Sequence, residues 1–387
     1  MKSASQIFKK TGKVFLGIFL CLTIFIVGIL IFINTNNGKQ IIKKEVTKYL
    51  YKKLQTNITI GSVDYSFPKW LRIKNIYLED KKGDTLLFGE ELSVDLDMIK
   101  LIQGNTDIKK IFLKNFYFSV SRAENETDFN YQFILNAFSG NKVSTENKDT
   151  AEMKLTLSKL IFDNVKLNFK DSLVGKLFSV SIKNLELKTN KFQPDRLNFD
   201  IDNLIASNVQ FLMKDFKEAI PKKIETVLDS NLILPYNFFI NVKNINLKYI
   251  DVLVENKNTG MYNANNIGTL TAKNITYSIA QAKATVDELL LDSANITFVT
   301  PKKVNNSGIN INATNVPNLW IYAAKQFVIK NSFIKYDDNT KPNIKGLDFA
   351  HIEARRIKVN VNDFFFLKIK LQQVLLNWLL QIKVGLL

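Results

Sequence analysis

The feature that most constrains the fold is a strand pattern that changes phase in its middle. In the stretch VKNINLKYID, the apolar residues that alternate from Ile245 onward are out of phase with Val242, and Lys243 and Asn244 lie between the two phases. Asparagine adopts the left-handed backbone conformation more readily than most other non-glycine residues. Such a pair therefore predicts a bulge or corner, which bends a strand and increases its twist.

The same arrangement recurs along the chain at irregular intervals. Repeated corners predict a long curved sheet, whereas the irregular spacing argues against a solenoid of fixed period. The alternative is that these pairs recur by chance, because the chain is rich in lysine and asparagine. The predicted strand corners are Asn75, Asn115, Asn164, Asn184, Asn244, Asn274 and Asn331.

The predicted strands have one apolar face and one polar face. One-sided strands normally pack on helices or on a second sheet, but strong helical patterns are too few here to cover so many strands. The apolar faces are therefore expected to enclose something apolar, such as lipid acyl chains, in a groove; a plain β-sandwich is the alternative. The candidates to line this groove are Val165, Leu167, Phe169, Ile245, Leu247 and Tyr249.

Strand patterns occupy residues 57–363 with few interruptions. A hairpin is predicted across Pro68 and Lys69, and the DKKGD segment predicts a turn. The pattern around Phe133 predicts a short helix, and a second helix is predicted to break near Pro221.

Residues 14–33 form an uncharged apolar stretch, long enough to cross a bilayer core of about 30 Å. A cleaved signal peptide is the alternative, but its apolar region would be shorter and would end in small residues. Lysines lie on both sides of this stretch, so charge alone leaves its orientation open. Residues 34–56 carry apolar residues at helical spacing with lysines between them. They predict an amphipathic helix that covers the end of a sheet, lies on anionic lipid headgroups, or does both.

Nothing in the sequence predicts a catalytic, cofactor or metal site. The chain has one cysteine and one histidine, and it lacks phosphate-binding and nucleophile motifs. The net charge is +17, but the lysines are scattered along strand-like segments rather than clustered. A nucleic-acid partner is therefore disfavoured, and a basic membrane-facing surface is the better interpretation.

The order of segments up to about Gly140 resembles a known family. The apolar stretch and basic helix are followed by IGSV, then by LEDKKGDTLL, and then by strands of the form IFLKNF. This order is similar to the N-terminal part of the AsmA-like family, most closely its TamB-type members, the translocation and assembly module proteins of Bacteroidetes-type diderm bacteria. Each motif alone is weak, and the likeness becomes diffuse after Gly140.

The resemblance implies a fold, a location and a function. The chain would be mainly β, with an N-terminal transmembrane helix, an elongated taco-like sheet with an apolar groove, and a few short helices. Residues 1–13 would form a cytoplasmic tail and residues 14–33 an inner-membrane anchor, with the body in the periplasm. Its partners would be phospholipid, the inner membrane and an outer-membrane assembly-type β-barrel protein. The family members are not enzymes and require no cofactor.

Two other functional classes remain open at this stage. The chain could be an anchored β-domain that scaffolds an envelope partner without carrying lipid, or an anchored hydrolase with a carboxylate-only site. Residues 364–387 also depart from the family pattern, because they lack acidic residues and clear alternation. They predict either an amphipathic terminal helix or a frameshifted or truncated end, and a TamB-type C-terminal domain is not recognisable.

Overall fold

The computed structural model describes residues 35–66, 69–97, 106–138, 155–193, 197–216, 238–257, 260–300 and 320–367. These residues form a mainly β structure with one long, curved, open sheet and few helices, which confirms the predicted fold class at this level. Twelve strands lie side by side in chain order.

The predicted anchor at residues 14–33 and the predicted helix near Pro221 lie outside the described residues. None of the described helices is both long and apolar enough to span a membrane.

Two helices and twelve strands make up the described structure. The helices are α1 (Asn36–Leu54) and α2 (Gln132–Phe138). The first six strands are β1 (Ile58–Ser66), β2 (Trp70–Glu79), β3 (Thr85–Leu96), β4 (Thr106–Arg122), β5 (Leu155–Asp171) and β6 (Lys176–Gln193). The others are β7 (Asn198–Asp215), β8 (Phe239–Asn256), β9 (Met261–Ser278), β10 (Lys283–Thr300), β11 (Ile321–Asp338) and β12 (His351–Leu367).

The strands form antiparallel sets of four (β1–β4), three (β5–β7), three (β8–β10) and two (β11–β12). Neighbouring strands are antiparallel except at β4–β5, β7–β8 and β10–β11, which are parallel. The strands that open successive sets begin at Leu155, Phe239 and Ile321, at nearly equal intervals. The irregular spacing of the asparagines did not predict these equal intervals, because the repeating unit is a set of three long strands rather than a single strand.

Helix α1 covers the β1 edge of the sheet. Thr35 caps its start by accepting a hydrogen bond from the Gly38 N–H, and Gln55 ends it with a left-handed φ of 51°. Lys39 forms a 2.9 Å ion pair with Asp64 of β1. At the other end of the helix, Leu54 enters a buried cluster to which α2 also contributes. The members of this cluster are Leu54, Ile58, Leu78 and Leu86, with Leu50, Leu87, Tyr131, Phe133, Ile134 and Ala137 packed against it.

A row of residues with irregular backbone crosses the sheet at one register. We call this row the first bend line. The residues on it face one another from β1 to β11, and most of those on β2 to β11 have a positive φ between 49° and 58°. Because almost every strand carries the irregularity at the same register, neighbouring strands stay paired on both sides of it. The first bend line consists of Gly61, Asn75, Glu90, Asn115, Asn164, Lys183, Asn208, Tyr249, Gly268, Ser293 and Asn331.

Two glycines on this line are required by close packing. A Cβ atom at Gly61 would lie 2.8 Å from Cβ of Asn75, and one at Gly268 would lie 2.9 Å from Cβ of Ser293. Neither glycine has positive φ itself. Each leaves space for the left-handed residue on the next strand.

A second bend line runs parallel to the first across much of the sheet. Apolar alternation changes phase here as well, as it does between Val242 and Ile245. Only Asn274 and Asp363 on this line have positive φ. The second bend line consists of Lys109, Ser158, Asp202, Lys243, Asn274, Asp287, Lys325 and Asp363.

The predicted corners fall into two groups. Asn75, Asn115, Asn164, Asn274 and Asn331 have positive φ, as predicted. For Asn184 and Asn244 the prediction of a left-handed backbone is wrong. Asn184 follows the bend-line residue Lys183 in β6, and Asn244 follows Lys243 on the second bend line; both have ordinary extended backbone. In β8 the left-handed residue is Tyr249, with φ 55°.

Candidate functional site

One face of the sheet is apolar across nearly its whole width, and we call it the apolar face. In β8 it carries Val242, then Ile245 and Leu247, then Ile250 and Val252, with one phase change at each bend line. Cross-strand pairing continues these rows. For example, Val165 is opposite Ile182, Ile182 is opposite Val209, and Val209 is opposite Ile250. The sequence thus supplies an apolar residue at the same level in one strand after another.

The exposure of residues at the bend lines shows which way the sheet bends. On the apolar face, several residues beside the bend lines are almost fully buried, such as Val242 at 3% and Ile250 at 6% exposure. On the opposite face, most bend-line residues are exposed, and Tyr249 reaches 63%. Crowding inside a bend and exposure outside it mean that the strands bend toward the apolar face.

Much of the apolar face has no covering layer in the part of the chain that the structure describes. Each described strand contacts its neighbours in the sheet, and α1 contacts β1 and α2. The buried cluster with α1 and α2 lies at the β1 end. Along the rest of the face, many apolar side chains away from the bends, including Leu167, Leu247 and Val252, are half-buried. A long apolar surface that is only half-buried is unusual for a monomeric soluble protein.

The two long margins of the apolar face differ in chemistry. Along one margin runs a chain of aromatic rings, which we call the aromatic rim. Successive ring centroids lie 5.3 to 6.1 Å apart, within the range of favourable aromatic pairs. The aromatic rim consists of Phe192, Phe199, Phe238, Tyr277, Trp320 and Tyr322.

The opposite margin carries paired polar groups, which we call the polar rim. Arg122 binds Asp171 through two hydrogen bonds of 2.5 and 3.1 Å, and Asp171 is only 1% exposed. Farther along, the Asn256 amide donates to Asp215, and the Thr300 hydroxyl donates to Asp338. An amphiphile lying across the sheet would therefore meet polar groups at one margin and aromatic rings at the other.

Five of the six predicted groove residues share the apolar face. Val165, Leu167 and Phe169 lie on it in β5, and Ile245 and Leu247 lie on it in β8. Tyr249 does not, and this part of the prediction needs correction. The prediction assumed unbroken alternation after Ile245, but the left-handed backbone at Tyr249 shifts the phase and passes the inner position to Ile250.

The opposite face is polar and carries a row of ion pairs along the second bend line. Lys243 lies 3.6 Å from Asp202, and Lys325 lies 2.9 Å from Asp287. Hydrogen bonds from Lys325 and then Asn274 lower the pKa of Asp287. A depression in the sheet is lined both by polar residues such as Lys166, Gln210 and Asp251 and by apolar residues such as Leu212 and Leu253.

The described residues contain no group of histidine, cysteine and acidic side chains suited to a metal ion. The lone His351 lies between Asp348 at 2.8 Å and Asp337 at 3.4 Å, at the connection between β11 and β12. In this position it joins two carboxylates that hold the connection together.

Fold and surface together define a class of protein: a single-layer, open, curved β-sheet with one apolar face, bent along two parallel lines and capped at its first edge by a helix. A scan against protein-family models finds no match to this chain, and a search of curated proteins finds none either.

Proposed function

We propose that this chain is a membrane-anchored envelope protein of the AsmA-like, TamB-like kind, which holds phospholipid acyl chains in a taco-like groove formed by its apolar face. The observation that carries the proposal is the continuous apolar face, half-buried and without a covering layer in the described residues. At about 4.8 Å per strand, a twelve-stranded sheet gives a surface roughly 50 Å long. That length exceeds what one acyl chain needs and suits movement of lipid along the sheet.

The proposed arrangement in the cell rests on the resemblance to the AsmA-like family. Residues 14–33 anchor the chain in the inner membrane, and the sheet lies in the periplasm, where it serves phospholipid transport to the outer membrane, protein assembly there, or both. Helix α1 supports this arrangement, since its outer side combines lysines with exposed Ile41 and Tyr49. Such a surface suits anionic headgroups beside an anchor. No catalytic step or cofactor is part of the proposal.

Native mass spectrometry of the detergent-extracted protein tests lipid binding. We expect phospholipid to remain bound to the wild type and to be lost from Leu247→Glu, which places a charge on the apolar face. The matched control Lys248→Glu changes the adjacent residue on the opposite face and should retain lipid. A lipid-free wild type would contradict the proposal and favour a scaffold that carries no lipid.

Reporter fusions test the orientation. A reporter active only in the periplasm should work when fused after Asn360 and should fail when fused before Lys13. The reverse result would contradict both the topology and the proposed location.

A further inference from the structure

Two asparagines of β9 interrupt the apolar face. Asn263 lies between Val254 of β8 and Phe298 of β10, and Asn265 lies between Val252 and Ile296 at the next level. The cross-strand partners at both levels are apolar. β9 therefore places two amide groups where its neighbours on both sides have hydrocarbon.

The acceptor atoms of these two amides have no protein partner, which is also true of Asp215 Oδ1 at the polar rim. The Oδ1 atoms of Asn263 and Asn265 are shielded from solvent and accept no hydrogen bond. By contrast, the Ser332 hydroxyl on the same face donates to the Lys330 carbonyl and accepts from the Ala294 N–H. A buried acceptor without a partner is destabilising, so two asparagines here weaken the fold unless something else binds them.

The position of the asparagines suits the polar part of an amphiphile. Asn263 and Asn265 follow Met261, the first residue of β9 at the polar rim, in steps of two residues, or roughly 7 Å each. The two asparagines extend the polar surface of the polar rim inward along β9, so that a small polar patch lies within the apolar face. At the other end of the same strand, Tyr277 belongs to the aromatic rim.

We propose that Asn263 and Asn265 form a subsite for the ester and headgroup region of a phospholipid, whose acyl chains extend across the apolar face toward the aromatic rim. The Nδ2 groups can donate to ester and phosphate oxygens, and the Oδ1 atoms can accept from an ammonium headgroup such as that of phosphatidylethanolamine. This inference rests on the proposed lipid function and adds to it a fixed orientation and a position at β9.

The test compares two ligands on the delipidated full-length protein in detergent. One is phosphatidylethanolamine with two oleoyl chains, and the other is an alkane of matched chain length. In Asn263→Val/Asn265→Val we expect phosphatidylethanolamine affinity to fall about tenfold, as loss of two hydrogen bonds predicts. Alkane affinity should be unchanged, and the ligand-free variant should be at least as stable as wild type. Asn266→Val, on the opposite face of the same strand, should bind both ligands as wild type does.

The outcomes separate this inference from the proposed function. If wild type binds phospholipid and the double variant binds it equally well, the subsite does not exist, although the lipid function stands. If the variant loses both ligands equally or unfolds, the asparagines are structural and the inference is wrong. If wild type binds neither ligand, the proposed function fails, and this inference fails with it.

Discussion

At the scale of single residues, the fold depends on side chains that accept a left-handed backbone in the middle of a long strand. Asn164 has φ 58° in β5, and its amide donates to the Asn115 side chain on the next strand. The Asn115 amide in turn donates to Glu90. Asparagine thus serves two purposes on the first bend line, because it tolerates the backbone conformation and bonds to its neighbour across strands.

Replacing Asn164 tests the left-handed conformation. Asn164→Gly should stay within about 1 kcal/mol of wild type, since glycine adopts positive φ without steric cost. Asn164→Val should lower the free energy of unfolding by about 1–3 kcal/mol, because β-branched residues strongly disfavour positive φ. Denaturant unfolding or protease resistance provides the measurement. Lys166→Val, two residues away with ordinary backbone, is the matched control and should be nearly neutral.

At Tyr249, in contrast, we expect a substitution to raise the stability of the fold. A bulky aromatic residue at φ 55° is strained, and its side chain is largely exposed, so it loses little packing on replacement. Tyr249→Asn should therefore raise the free energy of unfolding, by up to about 1 kcal/mol. A destabilised Asn variant would show that the tyrosine ring stabilises the bend by contacts that outweigh the strain.

The sequence predicts most of the left-handed asparagines, although it missed Asn208 with φ 52°, and it predicts other left-handed residues poorly. Tyr249, Ser293 and Arg356 also have positive φ, although their side chains give no such signal. At Tyr249 and Ser293 the cause lies in the adjacent strands, whose hydrogen-bond registers continue on both sides of the bend line and impose the conformation. Asn184 and Asn244 show the converse, since each is displaced by one residue from the bend-line position of its strand.

At the scale of elements, the parallel junction of β4 and β5 depends on a buried ion pair. Arg122 holds Asp171 by two hydrogen bonds and also lies over the Phe129 ring, with its Cζ atom 4.6 Å from the ring centroid. The Phe129 ring contacts Phe169 of the apolar face at a centroid distance of 5.3 Å. The pair thus connects the first set of strands, the polar rim and the apolar face.

Removing Arg122 should be strongly destabilising. Arg122→Ala leaves the Asp171 carboxylate buried without its cation, and breaking such a pair costs about 3 kcal/mol or more. Arg355→Ala is the matched control, because the Arg355–Glu353 pair is exposed and should contribute less than about 1 kcal/mol. The two variants should differ clearly in thermal unfolding. Equal effects would mean that burial does not determine the strength of the Arg122–Asp171 pair.

The connection between β11 and β12 carries a pH-sensitive carboxylate. The Ile344 N–H, together with His351 and the Ala350 N–H, lowers the pKa of Asp348 from 3.8 to about 2. Because the folded pKa is lowered, the stabilising bonds are fully present above pH 3.8 and are lost as the pH falls toward about 2. An NMR titration of the Asp348 carboxyl should show this low pKa. Asp348→Asn should speed amide exchange at Ile344, whereas an unchanged rate would contradict the assigned role.

Local elements were predictable because their signals are local. The β1–β2 hairpin, the turn before β3 and the short helix α2 all occur where turn residues or helical spacing predicted them. The sets of three strands were not predictable, since parallel pairing such as Thr106 opposite Leu155 joins residues far apart in sequence. The second bend line was only partly predictable from the sequence. Most of its residues have ordinary φ, and its change of phase in the apolar pattern resembles an ordinary strand irregularity.

At the scale of the whole molecule, the two faces of the single-layer sheet are chemically different. Apolar side chains line the inside of both bends, while lysines, acids and amides cover the outside. In the longer strands that cross both bend lines, two bends divide the strand into three segments around a common axis, which turns a flat surface into a groove. An open groove of this kind needs no second sheet if lipid fills it.

Site-specific photo-crosslinking tests whether lipid occupies the groove. A photoreactive residue at Leu167 or Leu247 faces the apolar side, whereas one at Lys166 or Lys248 faces the opposite side, one position away in the same strands. Irradiation in cells should join phospholipid to the protein at Leu167 and Leu247 and leave Lys166 and Lys248 unlabelled. Equal labelling at both sets of positions, or labelling at neither, would contradict a lipid-filled groove.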